Sequence, residues 1–178
     1  MTLPVGMRRA GLLLHIAASV GWLGAVATSL VLAGLAVTAD DPRTADAVYL
    51  LLRPLGWYVL VPFGIASLVT GVMQSLITVW GLVRHYWVLV KLVLTAFAVA
   101  VLLLYTRTLD ALADAARVAA DGGPSVTATA SPLVHAAGAA ILLLVALALS
   151  VYKPRGLTPA GHRRRQHVGA DSAANTGA

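Results

Sequence analysis

The sequence predicts an all-α protein: a four-helix transmembrane antiparallel bundle with both termini in the cytoplasm. Of its 178 residues, 59% are hydrophobic and only 11% are charged, whereas a soluble domain carries about 25% charged residues. Four apolar stretches are each long enough to cross a bilayer, which takes about 20 residues. Lys and Arg lie mainly in alternate connections between these stretches, as expected when alternate connections are cytoplasmic.

The four predicted spans follow the apolar runs. A competing interpretation makes residues 1–39 a cleaved signal peptide, because "VTA" before Asp40 resembles a cleavage site. The first apolar run is, however, about twice as long as a signal-peptide h-region of about 7–15 residues. Ser131 and Pro132 are typical of a helix start and predict where the last span begins. The four predicted spans are residues 10–37, 55–79, 87–105 and 133–152, with approximate ends.

Three further segments complete the predicted domain organisation. Residues 44–53 are expected to form a short helix at the outer interface, and the third helix is expected to continue into water to about residue 121, where "DGGP" ends it. The transmembrane domain is then 1–155. Residues 156–178 are polar without apolar periodicity and predict a disordered basic cytoplasmic tail. Its "HRRR" is expected to bind anionic lipid, at about 1 kcal/mol per basic residue.

Charge sets the predicted orientation and excludes some partners. Cytoplasmic connections carry an excess of Lys and Arg, so we expect the basic side to be cytoplasmic and the protein to lie in the cell inner (plasma) membrane. The net charge of +6 does not indicate nucleic-acid binding, because the charges cluster at the ends of apolar runs rather than along a helix face. The absence of cysteine excludes disulfides and thiolate metal sites. The residues of the predicted cytoplasmic side are Arg8, Arg9, Arg84, Lys153, Arg155, Arg163, Arg164 and Arg165.

Three ionisable residues lie within the predicted spans: His15, Lys91 and His135. Such residues are rare in membranes, usually face the bundle interior and mark functional sites. His15 lies about 9 Å deeper than Arg9, and Lys91 about 6 Å deeper than the interfacial Trp87, at 1.5 Å per residue. These two residues are therefore expected at nearly the same depth. His135 is expected near the outer face, roughly 15–20 Å from His15 in a core about 30 Å thick, which is too far for both to ligate one iron.

Polar neighbours support a site around His15. Trp22 shares its helix face, together with several small residues, and Gln74 lies on a polar stripe of the second span. An amide without a partner in hydrocarbon costs several kcal/mol, so Gln74 is expected to have one. Structural interpretations remain open for each ionisable residue. Lys91 could extend to the headgroups with its stem along lipid, His135 could bond a loop carbonyl, and His15 could be a neutral histidine bonded to a neighbour.

The functional interpretation makes His15 a metal ligand, most plausibly of haem iron. Neutral imidazole is the commonest metal ligand, and a porphyrin fits between helices lined by Gly, Ala and Ser. Lys91, Arg84 or Arg9 could then pair with its propionates. Copper is less well supported, because Cu(I) prefers soft ligands and Met73 is the only methionine within a span. His135 is a weak additional metal-ligand candidate.

Three segments resemble known membrane protein families. "LHIAASVGWLGA" resembles the first helix of CopD-like copper-resistance proteins and of HemJ-type protoporphyrinogen IX oxidases, in which Trp follows His after seven residues and a small residue comes next. "HYWVLVKLVLT" is similar to their later helix, in which Trp precedes Lys by a few residues. The HemJ-type resemblance implies that His15 binds haem b and that Lys91 is required. "LSVYKPRGLTPAGHRRRQ" resembles the end of an uncharacterised family of small four-helix actinobacterial membrane proteins.

The sequence also departs from both named families. The Arg that usually follows the first-helix Trp of HemJ-type proteins is absent, as are the additional metal-binding histidines and methionines of the CopD family. The resemblance therefore implies haem binding more than porphyrinogen oxidation or copper uptake. Whether the protein is an enzyme stays open.

These observations predict a small haem-binding redox module, with His15 as axial ligand and Lys91, Trp22 and Gln74 around the cofactor. The first alternative is a non-catalytic subunit of a membrane complex, in which His15, Gln74 and Lys91 form a buried polar network. The second is transport of copper or a small solute. Polar groups lie mainly in the inner half of the spans, which disfavours a channel. We also expect self-association or membership of a complex.

Overall fold

A computed structural model describes residues 4–77 and 86–152 of the chain. In these ranges the chain forms four helices that are long and apolar enough to cross a membrane, which confirms the predicted all-α, four-helix architecture. The second of these helices is composite, since a π-helical turn interrupts it. In chain order the elements are α1 (Val5–Thr38), α2 (Pro42–Leu55), the π-helical turn (Gly56–Leu60), α3 (Val61–Ile77), α4 (Tyr86–Ala120) and α5 (Ser131–Tyr152).

The four spanning helices form an antiparallel bundle. α1 packs against α3 and α5, and α4 packs against the same two helices from the other side. Helix α5 is antiparallel to α4, since Lys91 meets Ser150 at one end and Tyr105 meets Ser131 at the other. Over the described ranges, α1 and α4 therefore face each other across a diagonal, and any space at the centre of the bundle lies between them.

The composite second helix differs from the sequence expectation. A separate interfacial helix was expected over 44–53, but α2 runs through Pro54 and the π-helical turn directly into α3. Proline lacks an N–H and normally interrupts the helical ladder. Here the Gly56 N–H bonds to the carbonyl of Arg53, and the Val61 N–H bonds to the carbonyl of Gly56. The Gly56 N–H also bonds to the carbonyl of Leu52, so the helix continues past Pro54 and widens to a five-residue hydrogen bond only at Val61.

Helix α4 extends far beyond one bilayer thickness. Its 35 residues span about 52 Å at 1.5 Å per residue, against a hydrocarbon core of about 30 Å. It ends at Ala120, one residue short of the expected 121. Gly122 follows with φ +96°, and the Gly123 N–H bonds to the carbonyl of Val118. This is a Schellman ending, in which glycine adopts the left-handed conformation without a Cβ penalty.

The extension of α4 builds a packed core together with α2. We name this part of the molecule, with the 121–130 connection, the loop end. Tyr49 of α2 is 1% exposed at its centre. Asp46 accepts a hydrogen bond from the Val126 N–H at 2.9 Å, and the Tyr49 hydroxyl accepts one from the Thr129 N–H at 2.9 Å. The connection is thereby held against α2. The buried members of this core are Ala36, Ala45, Val48, Tyr49, Leu52, Leu109 and Ala116.

The opposite end of the bundle is named the cavity end. α1 and α4 begin there and α3 and α5 end there, as the antiparallel order requires. Several sequence predictions lie outside the described residues: the last residues of the second span, Arg84, and the basic tail over 156–178.

Candidate functional site

A cavity of about 780 Å³ opens at the cavity end of the bundle. Each of α1, α3, α4 and α5 contributes to its wall, and the wall is largely apolar. It brings together three of the residues singled out in the sequence, since His15, Gln74 and Lys91 all line it. The two arginines at the start of α1 lie at its edge. The main polar groups of the wall are Arg8, Arg9, His15, Gln74, Lys91 and Ser150.

His15 is oriented by α3. Its Nδ1 lies 3.0 Å from the Thr70 hydroxyl oxygen, and that hydroxyl donates its own proton to the Ala66 carbonyl at 2.6 Å. When that proton goes to Ala66, the matching neutral tautomer of His15 carries its proton on Nδ1 and its lone pair on Nε2. Gly71 makes room for the ring, because a Cβ there would lie 3.1 Å from His15 Cε1. A neutral imidazole whose other nitrogen is fixed by a hydrogen bond is the usual form of a metal-ligating histidine.

Lys91 reaches α5. Its Nζ donates to the Ser150 hydroxyl at 2.7 Å, and Ser150 in turn donates to the Ala146 carbonyl at 2.9 Å. An ammonium group has three donors, so this hydrogen bond leaves two for another acceptor. The lysine thus places a cation on the cavity wall while one hydrogen bond holds it in position.

Gln74 is under-satisfied. Its side-chain Nε2 is buried and has no hydrogen-bond partner among the described residues. Gly11 lies directly against it, since a Cβ on Gly11 would be 3.1 Å from this nitrogen. Buried polar groups are nearly always hydrogen-bonded, so Gln74 Nε2 is an exception among the described residues. Gln74 lines the cavity, but this nitrogen is itself buried beside Gly11.

Hydrogen bonds divide the cavity end into two helix pairs. His15 to Thr70, and the Ser19 hydroxyl to the Ser67 hydroxyl at 2.8 Å, join α1 to α3. Lys91 to Ser150 joins α4 to α5. The predicted network of His15, Gln74 and Lys91 is therefore not a direct one. These residues share a wall, but each makes its own local contacts.

Trp22 and His135 lie away from the cavity wall. Trp22 is buried one level deeper, where its ring packs on Gly64; a Cβ on Gly64 would lie 3.1 Å from Trp22 Cζ2. His135 stands at the loop end. Its ring stacks on Tyr105 with centroids 3.8 Å apart, and its Nδ1 donates to the Ser131 carbonyl at 2.9 Å. Its separation from Ser150 along α5 is about 22 Å at 1.5 Å per residue, so it cannot act at the same site as His15.

Two contact residues were missed by sequence reasoning. Thr70, the partner of His15, lies three residues after Ser67 and four before Gln74, so it continues the polar stripe of its helix. Ser150, the partner of Lys91, lies one helical turn after Ala146. The i, i+3 and i, i+4 spacing was the available signal in both cases. The partner of each could be identified only once the helix neighbours were known.

The described residues do not supply the ligand set of a bare metal ion. Over residues 4–77 and 86–152 there is no group of three or more His, Cys, Asp or Glu side chains that could hold a metal. A porphyrin supplies its own four nitrogens and needs only one or two axial ligands from the protein. His15, which lines the cavity, meets that lesser requirement alone.

No family model, no curated protein and no solved structure matches this chain. The resemblance to CopD-like and HemJ-type proteins stays a prediction from the two quoted segments around His15 and Lys91. Function must accordingly be inferred from the cavity itself.

Proposed function

We propose that this protein is a small membrane haem-binding module that carries electrons, with haem b held in the cavity by His15. The orientation of His15 is the observation that supports this best. The Thr70 hydroxyl holds the ring through Nδ1, which leaves Nε2 as the nitrogen that would bind iron at the wall of a largely apolar cavity. A haem there would supply one-electron chemistry, and the chain would supply the axial ligand, the apolar surroundings and the charges that position it.

The size and charge of the cavity support the same ligand. Its volume of about 780 Å³ lies within the range of roughly 300–1,000 Å³ that is usual for small-molecule sites. The cations on its wall are Arg8, Arg9 and Lys91, and the described residues form no ion pair with any of them. Haem propionates are carboxylates, which Arg and Lys bind through charge-assisted hydrogen bonds.

The proposed orientation follows from the same charges. By the positive-inside rule, the cavity end with Arg8 and Arg9 faces the cytoplasm, and the loop end faces outward. Arg8 and Arg9 would then bind the acidic groups of a haem near the cytoplasmic headgroups.

A second candidate function is that of a structural subunit in a membrane complex. The observation that favours it is that His15, Ser19 and Lys91 already have side-chain partners on a neighbouring helix. Interhelical hydrogen bonds in membranes contribute about 0.6 kcal/mol on average, which suffices to select helix pairs.

Transport through the bundle is the least supported alternative. Below the cavity, the centre of the bundle is filled by an apolar cluster around Trp22. The cluster joins α1, α4 and the π-helical turn, and a transported ion would have to displace it. Its buried members are Trp22, Ala25, Val26, Leu60, Ala98 and Val99.

The test is the visible absorption spectrum of the full-length protein, purified in detergent after expression with ample haem and recorded oxidised and then reduced. We expect a Soret band that His15→Ala removes and that added imidazole partly restores. His135→Ala is the matched control, because it removes a histidine that does not line the cavity, and it should leave the band unchanged. A featureless spectrum from the unmodified protein, or a band that survives His15→Ala, would overturn the proposal. A featureless spectrum would favour the structural subunit.

A further inference from the structure

The cavity has one closed side and one open side. The wall residues from α3 and α4, such as Gln74 and Leu92, are buried or half-buried. The wall residues that are freely exposed come from α1 and α5: Ile16 is 49%, Val20 63% and Leu147 52% exposed. The opening therefore lies between α1 and α5, on the side of the bundle rather than only at its end.

The hydrogen bonds explain why these two helices separate. At the loop end α1 and α5 are in contact, since a Cβ on Gly34 would lie 4.0 Å from Leu133. At the cavity end α1 is bonded to α3 and α5 is bonded to α4, as described above. Each helix thus follows a different partner, and a gap opens between α1 and α5.

The edges of this opening are apolar and lie at hydrocarbon depth. Ile16 and Val20 form one edge and Leu147 the other. Ile16 is about 10 Å deeper along α1 than Arg9, at 1.5 Å per residue. An opening with Ile, Val and Leu edges would be costly to hydrate, whereas lipid tails contact such side chains at no cost.

We propose that the cavity is entered sideways from the bilayer, through the opening between α1 and α5, and that its ligand is a membrane-dissolved amphiphile. Such a molecule slides its apolar body past Ile16, Val20 and Leu147 while its acidic groups stay level with Arg8 and Arg9 at the membrane surface. The identity of that ligand as haem rests on the proposed function. The existence and direction of the opening do not.

The experiment uses spin labels in the full-length protein reconstituted into liposomes. Because the chain has no native cysteine, a single label can be attached at any chosen position. Three single variants on α4 are compared. Leu92→Cys places the label on the cavity wall, Val93→Cys on the exposed face at the same depth, and Leu102→Cys against the closed Trp22 cluster. Collision rates are measured with oxygen, which concentrates in the bilayer, and with a water-soluble nickel chelate.

We expect the label at Leu92 to collide with oxygen several-fold more often than the label at Leu102, close to the value at Val93, and to be protected from the nickel chelate. A high nickel collision rate at Leu92 would show that the cavity opens to water and would overturn the proposal. Low rates with both reagents, as at Leu102, would show a closed cavity and would overturn it equally. No haem is present in this measurement, so its outcome is separate from that of the absorption spectrum.

Discussion

The polar groups at the loop end of the bundle are paired with one another, whereas those at the cavity end keep spare hydrogen-bond donors. At the loop end the Arg53 guanidinium lies 2.8 Å from the Asp110 carboxylate, which also accepts a hydrogen bond from Trp57 at 3.1 Å. At the cavity end Arg8 and Arg9 have no carboxylate nearby, because all six Asp of the described ranges belong to the loop end or the turn after α1. Polar groups that satisfy one another stabilise a fold. Polar groups left with spare donors around a cavity are available to a ligand.

Packing shows the same contrast. Tyr49 is enclosed by α1, α2 and α4 at the loop end, whereas His15 is half-buried at the edge of a cavity. The difference predicts that substitutions at the two ends have separable effects. Changes at the loop end should alter stability, and changes at the cavity end should alter ligand binding.

Tyr49→Ala should have the largest effect on stability. It removes a ring that is 1% exposed and the acceptor of the Thr129 N–H. Large-to-small aromatic substitutions in a core cost about 3–5 kcal/mol. Thermal unfolding in detergent measures the change, and Tyr58→Ala, at a side chain 81% exposed, serves as the control. If both variants unfold at the same temperature, the loop end is not the stability core.

Lys91→Met, compared with Ser150→Ala, should show whether the charge of Lys91 or its hydrogen bond to Ser150 matters for haem affinity. The substitution keeps an unbranched side chain but removes the ammonium, and we expect haem affinity to fall about tenfold, which corresponds to about 1.4 kcal/mol. Ser150→Ala is the matched control, since it removes the same hydrogen bond but leaves the charge. Titration of haem into the apoprotein measures both. Equal losses in the two variants would assign Lys91 a role in helix pairing alone.

Gly71→Ala should disturb His15 without unfolding the bundle. The added methyl would lie 3.1 Å from the imidazole and should push the ring off Thr70. Alanine is favoured over glycine within helices by about 1 kcal/mol, so we expect the change in stability to stay within about that amount. The Soret band should shift or weaken. Gly24→Ala, where a Cβ meets nothing within 4 Å, should leave the band as it is. An unchanged band in Gly71→Ala would argue against His15 as the ligand.

Arg53→Gln should have the smallest effect. The Arg53–Asp110 pair is about one-third exposed, and exposed ion pairs contribute a few tenths to about 1 kcal/mol. We expect the free energy of unfolding to fall by a few tenths of a kcal/mol, because Trp57 still donates to Asp110. This loss of stability should be smaller at high salt, which screens exposed charges. Unfolding at low and high ionic strength tests this. A loss as large as that of Tyr49→Ala would mean that ion pairs, rather than packing, hold the loop end.

The sequence predicted the architecture well because an apolar run of about 20 residues is a strong signal for a membrane-spanning helix. The run of apolar residues in α5 and the polar continuation of α4 past residue 105 could both be read directly from the sequence. Depth counting also placed His15 and Lys91 at similar levels, and both line one cavity. Contacts between helices could not be predicted in this way. They depend on which helices are neighbours and how each is rotated, and an apolar sequence allows several solutions.

The continuous path through Pro54 was missed for a different reason. A proline removes one hydrogen-bond donor, and the sequence does not show whether the ladder breaks or is re-routed. The same limit applies to Thr70 and Ser150. Their residue types permitted many partners, and only the packed structure selects His15 and Lys91.

The π-helical turn also determines how α3 is rotated about its own axis. A turn that closes its hydrogen bond over five residues instead of four holds one residue more than the α-helix it interrupts. One residue corresponds to about 100° of rotation about the helix axis. Deleting a single residue between Gly56 and Leu60 would therefore rotate everything that follows by more than a quarter turn. Thr70 and Gly71 would swing away from α1, and the cradle of His15 would be lost although every side chain that forms it remained in the chain.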